Sequence, residues 1–293
     1  MKPQNALAHK GAAVEEWIDL HFFRPVGMRI ARALGPTDVS ADEVTLWSLA
    51  LGLVAGHLFL YHERWVNAIG VGLFIVSDIL DSADGQLARL RGTSTRTGRI
   101  LDGVSDNLRF VNLYAHLLVR IWLMGYGWPG ALLVAFAGLS HSFQSAAADF
   151  VRNAFLYAGT GGGELDLPED MDEPARGSWI ERLTAWAYRG YVRRQALLFP
   201  RTVTLFRRLR AAGTPEAFRL AYADRQQPLL PLCTWLGQNI RFALLAVVAF
   251  TGRPGLLFWT EASAMNVVLV TLLVLHEWNA AGLAESLSGA EKA

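Results

Sequence analysis

Apolar residues in this chain gather into six stretches, each about as long as the ~20 residues that cross a ~30 Å hydrocarbon core as a helix. They run roughly from Val44 to Leu60, Trp65 to Arg89, Gly98 to Leu123, Pro129 to Arg152, Thr234 to Phe250 and Leu256 to His276. The pattern predicts an all-α integral membrane protein of six transmembrane helices. The second and third stretches lose their apolar character towards the loop they share, so the polar residues there should lie near one membrane face.

Two segments fall outside these six. From Val14 to Leu34, Trp17, Ile18, His21, Phe22, Met28, Ile30 and Ala31 are interleaved with arginines and acids. This predicts an amphipathic helix lying in the membrane interface, with packing on the bundle as the alternative. The segment 159–231 is too long for a simple connection. It opens on glycines and an acidic run, followed by Ser178 and Glu181 at capping-box spacing. Trp179, Leu183, Trp186 and Ala187 then recur at helical spacing, so a cytoplasmic insert of two or three short interfacial helices is expected. The implied organisation is an N-terminal arm over 1–39, transmembrane helices one to four over 40–158, the insert over 159–231, and helices five and six with the tail over 232–293.

Composition agrees with a membrane class: mean hydropathy is positive and there are ten Trp. The net charge of +1 gives no bulk case for nucleic acid as a partner. A single Cys233 excludes an intrachain disulfide, and no cleavable signal peptide is expected. Lys and Arg set the orientation. Arg89, Arg91, Arg96 and Arg99, the N-terminal basic residues, and the arginines of the insert share one side of a six-helix plan, opposite Arg64 and Arg253. Both termini and the loop between helices two and three are therefore expected to be cytoplasmic, with Tyr61, Trp65, Trp122, Tyr126 and Trp128 forming an aromatic belt at the far face. Arg120 lies near that face and is expected to snorkel to it.

The chemistry concentrates at the second and third helices. Asp81 and Asp84 are three apart, Asp102 and Asp106 four apart, so each pair shares a helix face. Acids at the ends of membrane helices are expensive and usually functional. Two such faces turned together would make an oxygen-rich cage for hard divalent cations. An ion-coupled transporter is the competing class. It would predict acids nearer the midplane, discontinuous helices or inverted repeats, and none is evident in the sequence.

The full run Asp81-x2-Asp84-Gly85-x2-Ala88-Arg89-x8-Gly98-x3-Asp102-x3-Asp106 resembles the signature of the CDP-alcohol phosphotransferases, whose six-helix plan it also shares. The family's Pro-Asn start to helix one is only loosely echoed, by Pro36-Thr37 with Thr45 downstream. The resemblance implies transfer of a substituted phosphate from a CDP-linked donor to an alcohol, with release of CMP. It implies that Asp81, Asp84 and Asp102 ligate two Mg²⁺ or Mn²⁺ ions. Asp106 would touch metal and act as general base on the acceptor hydroxyl. Gly85, Ala88, Arg89, Gly98 and Thr45 are the expected nucleotide-binding residues. Partners implied are a CDP-linked lipid donor, a small alcohol acceptor, membrane lipids and a second copy in a homodimer.

Two substrate plans remain. CDP-diacylglycerol could donate a phosphatidyl group to a polyol, or CDP-choline or CDP-ethanolamine could donate a headgroup to a lipid alcohol. Arg109, Arg152 and Arg241 lie within or at the ends of apolar helices, where arginines face a cavity or a partner. Converging near one membrane face, they would suit a phosphorylated acceptor such as inositol phosphate or glycerol 3-phosphate. That favours the first plan, with the three arginines as acceptor-binding residues; the alternative is that they pair with acids or lipid phosphate.

Overall fold

A computed structural model describes residues 14–161, 165–171 and 179–290. Among the described residues every regular element is helical. A π-helical turn, Asp19–Phe23, leads into α1, Arg24–Leu34. The long helices follow: α2 Ala41–Leu58, α3 Arg64–Arg91, α4 Arg96–Leu123 and α5 Gly127–Ala154. A 3₁₀ turn, Pro168–Met171, precedes α6 Trp179–Leu198, α7 Pro200–Ala212 and α8 Glu216–Gln226. The chain ends with α9 Leu230–Trp235, α10 Gln238–Thr251, α11 Gly255–Ala262 and α12 Ala264–Ala290.

Among the described residues, four stretches are long and apolar enough to cross a membrane: Arg64–Arg91, Gly127–Gly159, Glu216–Thr251 and Gly255–Leu287. The expected first and third spans exist as α2 and α4 but are not among the four. Charge explains this: α2 opens on Asp42 and Glu43, and α4 carries Asp102, Asp106, Arg109 and Arg120. Glycines let α2 pack closely against both α3 and α4, as small residues do between membrane helices. A Cβ on Gly56 would lie 2.5 Å from Asn112 of α4, and one on Gly70 would lie 3.0 Å from Phe59.

The fifth and sixth expected helices are interrupted, contrary to the sequence reading. Gly237 separates α9 from α10 with extended backbone. Ser263 separates α11 from α12; its hydroxyl and its N–H both donate to the Trp259 carbonyl, a back-bond that competes with the helical ladder and bends it.

The N-terminal arm packs on the bundle with one face. Phe23, Gly27, Met28 and Ala31 are buried, and a Cβ on Gly27 would approach Ser82 Oγ at 2.9 Å. Trp17, Ile18 and Phe22 remain exposed. Arg91 clamps the turn after α1, donating to the carbonyls of Leu34, Gly35, Thr37 and Val39. A true capping box starts α2: Ser40 Oγ accepts from Glu43 N–H while Glu43 accepts from Ser40 N–H. The pattern at Ser178 expected for α6 lies outside the described residues.

Among the described residues of 159–231, three α-helices, α6 to α8, follow the 3₁₀ turn and precede α9. Tyr191 Oη and Gln195 Nε2 of α6 donate to Asp149 of α5 at 3.1 and 3.2 Å. Arg207 grips Glu169 through two 3.0 Å bonds, and this hydrogen bonding holds the Glu169 carboxyl below its ordinary pKa. The main apolar core, around Phe150, Phe199, Phe206, Tyr222 and Leu272, joins the insert to α5 and α12.

Candidate active site

The loop between α3 and α4 turns on Gly92, whose φ of 66° closes α3 in the left-handed region. Thr95 then starts α4, its hydroxyl accepting the Gly98 N–H at 3.0 Å. This short reversal sets the last turns of α3 beside the first turns of α4. Asp81, Asp84 and Asp102 present carboxylate oxygens all within 4.8 Å of one another. Asp84 is buried, and Asp81 and Asp102 are half-buried. An all-oxygen anionic set of this size fits a hard divalent cation such as Mg²⁺ or Mn²⁺ and not a soft one. Asp106 lies one turn further along α4, is 36% exposed, and is paired with Arg109.

Several expected nucleotide residues have partners within the protein. Thr45 Oγ1 donates to Asp84 Oδ2 at 2.6 Å, and Thr45 is buried. Its hydroxyl is therefore placed against a candidate metal ligand. Around Gly85 the protein leaves room: an added Cβ would meet only the Arg89 guanidinium, at 3.4 Å. Gly85 and Arg89 thus face one another across one turn, with Ala88 beside them half-buried. Gly98 is tighter, since a Cβ there would lie 3.2 Å from Thr95 Oγ1 and 3.6 Å from Asp42.

The three arginines expected to bind acceptor have separate partners. Arg109 is 1% exposed, donates to Asp81, Ser77 and Ser48, and forms an ion pair with Asp106. Arg241 is equally buried; it donates to Glu261 at 3.2 Å, Gln144 at 2.8 Å and the carbonyls of Leu236 and Gly237. Every guanidinium nitrogen of Arg241 is thus engaged inside the protein. Arg152 pairs with Glu16 at 2.7 Å and also donates to the Cys233 carbonyl. Arg120 likewise departs from expectation. It does not snorkel but is buried, donating to Asn67 Oδ1 and the Phe59 carbonyl.

Some polar contacts beside the site and elsewhere in the bundle are not evident in the sequence. Gln238 at the start of α10 donates to Asp78, one turn before Asp81. Asn239 donates to Glu16 and Asp19 of the N-terminal arm. Glu261 accepts from Arg241 and from Tyr114, and lies 3.3 Å from His141 Nδ1. The signal for Glu261 was present, as a lone carboxylate inside an apolar stretch.

Residues 39–156 match the family model described as CDP-alcohol phosphatidyltransferase, a span that contains α2 to α5 and all four aspartates. Residues 39–156 thus carry a domain of this family. It is 31% identical over 158 residues to a phosphatidylinositol phosphate synthase of Mycobacteroides abscessus, covering 51% of this chain and 66%, just under two thirds, of that protein. A phosphatidylinositol phosphate synthase of Mycolicibacterium smegmatis is 28% identical over 198 residues, covering 65% of this chain and 83% of that protein. An uncharacterized protein of Aquifex aeolicus is 34% identical over 110 residues, covering 37% of this chain and 53% of that protein.

Proposed function

We propose that this chain transfers the phosphatidyl group of CDP-diacylglycerol to a hydroxyl of an inositol phosphate. The observation that carries the reading is the Asp81–Asp84–Asp102 group with Asp106 one turn beyond it, inside the span that matches the family. The names of the two mycobacterial relatives support the acceptor. In the step, the acceptor oxygen forms a bond to the phosphatidyl phosphorus. The bond from that phosphorus to the bridging pyrophosphate oxygen breaks, and CMP leaves with that oxygen and the electron pair. The hydroxyl proton passes to Asp106, whose exposure leaves it accessible to a polar acceptor.

Asp81, Asp84 and Asp102, with Asp106, are the proposed ligands of two Mg²⁺ or Mn²⁺ ions. When bound, such ions neutralise the pyrophosphate and stabilise the leaving oxygen. Gly85 and Ala88 leave the α3 backbone open to the nucleotide, and Arg89 beside Gly85 holds a phosphate. Arg152 is the proposed acceptor residue: an anionic acceptor would exchange with Glu16 for its guanidinium. We read α2 and α4 as two further spans, since α2 packs against both α3 and α4 and α4 packs on α5, making six in all. The same reading places the aspartates and both termini in the cytoplasm, and sets the exposed Trp17, Ile18 and Phe22 in the interface.

CMP release by the purified protein in lipid nanodiscs tests the reading. With CDP-diacylglycerol and Mg²⁺ or Mn²⁺, inositol phosphate should support release, and EDTA should stop it. Release only with CDP-choline or CDP-ethanolamine plus a lipid alcohol would reverse donor and acceptor, and silence with every pair would reject the activity.

A further inference from the structure

Arg109 occupies an unusual place beneath the acidic group. The same nitrogen, Nη2, lies 3.1 Å from Asp81 Oδ1 on α3 and against Asp106 on α4. The other terminal nitrogen, Nη1, donates to Ser77 Oγ at 2.7 Å and Ser48 Oγ at 3.3 Å. Those serines are themselves locked together: Ser77 Oγ donates to the Ser48 carbonyl at 2.7 Å and Ser48 Oγ to the Ser77 carbonyl at 2.8 Å. The stem is held too. A Cβ on Gly52 of α2 would fall 2.3 Å from Arg109 Cδ and 2.6 Å from its Cγ, so the side chain passes through a slot that exists because residue 52 is glycine.

We propose that Arg109 is a positioning residue, bridging the metal-ligand candidate Asp81 to the base Asp106 and setting the orientation of both from a floor built by Ser48, Ser77 and Gly52. The physical reason is charge. Two helices bring like-charged carboxylates together, and like charges at this range repel by an amount that rises as the dielectric falls. A buried guanidinium paired with one acid from each helix offsets that repulsion, holding Asp81 through a directional hydrogen bond and Asp106 through an ion pair. Its fork suits this task better than a lysine ammonium would. Being buried and engaged on both terminal nitrogens, Arg109 acts through the two acids and does not touch the acceptor.

The inference rests on the phosphatidyl-transfer reading, so wild-type CMP release is established first; silence there counts against that reading and not against Arg109. Arg109→Met and Arg109→Lys should then each lower kcat about 10- to 100-fold, the usual range for groups that orient metal ligands. Acceptor and donor KM should stay near wild type. Mn²⁺ binding to the purified protein, followed by electron paramagnetic resonance without substrate, should weaken over the same range. Gly52→Ala displaces the stem without removing the charge and should reproduce the kcat loss. Gly52→Ala combined with Arg109→Met should be no worse than Arg109→Met alone. If the arginine variants do not fold, Gly52→Ala and Ser77→Ala carry the same expectations. A raised acceptor KM with unchanged kcat would overturn the proposal in favour of direct acceptor binding. Additive effects of Gly52→Ala and Arg109→Met, or unaltered Mn²⁺ binding, would also overturn it.

Discussion

Individual side chains divide the site into acids proposed to react or ligate and neighbours proposed to aim them. Asp106 stands one turn past Asp102, exposed enough to meet a polar hydroxyl. Asp106→Asn should therefore abolish CMP release while CDP-diacylglycerol binding stays detectable by calorimetry; wild-type turnover would remove the base assignment. Thr45 makes a different kind of claim, because its hydroxyl donates to the buried Asp84. Thr45→Val keeps the shape and withdraws the donor, so Mn²⁺ affinity should fall about 10- to 100-fold, as for other groups that orient metal ligands. Unchanged Mn²⁺ titration curves would return Thr45 to a packing role. The four aspartates were legible because spacing along one helix is a local rule: residues three or four apart share a face wherever the helix sits. The roles of Thr45 and Arg109 were not. Their bonds to Asp84 and Asp81 span 39 and 28 positions, and no local periodicity reports a contact of that kind.

Single helices show how the bundle tolerates polar groups away from the site. Tyr114, His141, Gln144, Arg241, Glu261 and Asn266 form one connected set across α4, α5, α10, α11 and α12. It lies where the fifth and sixth stretches are interrupted. Arg241 donates to the carbonyls of Leu236 and Gly237, which the break before α10 frees from helical bonding. Glu261, fully buried on α11, balances its charge. Removing one member of such a pair strands the other, at a cost of about 3–5 kcal/mol. Glu261→Ala should thus lower the Tm sharply in detergent, whereas Glu261→Leu with Arg241→Met should recover part of the loss. Equal Tm for Glu261→Ala and wild type would show that the pair is not holding the breaks.

Across the whole molecule, the N-terminal arm and the insert are tied to the catalytic helices rather than appended to them. Glu16 reaches Arg152 of α5 and Asn239 of α10, Arg91 of α3 clamps the turn after α1, and Tyr191 and Gln195 of α6 hold Asp149 of α5. If Arg152 receives an anionic acceptor, Arg152→Ala should raise the acceptor KM several-fold, with kcat at saturation little changed; an unchanged KM would leave Arg152 as an anchor for the arm. Orientation is testable at this scale too. With the buried Cys233 replaced by alanine, Glu216→Cys should react with a membrane-impermeant maleimide from the cytoplasmic side and Arg253→Cys from the opposite side. Both residues are exposed. Labelling of both from one side would break the six-span reading.

What the sequence determined by itself was whatever depends on short range. Helical class, the amphipathic character of residues 14–34 and the pairing of acids on shared faces all follow from side-chain type and 3.6-residue periodicity. The positive-inside reading of topology rests on the same local counts. The tertiary structure decided which polar groups meet. Three arginines that looked alike in apolar surroundings were given three environments: Arg109 beneath the carboxylates, Arg152 against the N-terminal arm, and Arg241 in a buried pair with Glu261. The physical reason is that a guanidinium in a low-dielectric interior must find acceptors, and which acceptors lie in reach is set by how the helices pack, not by its neighbours in the chain.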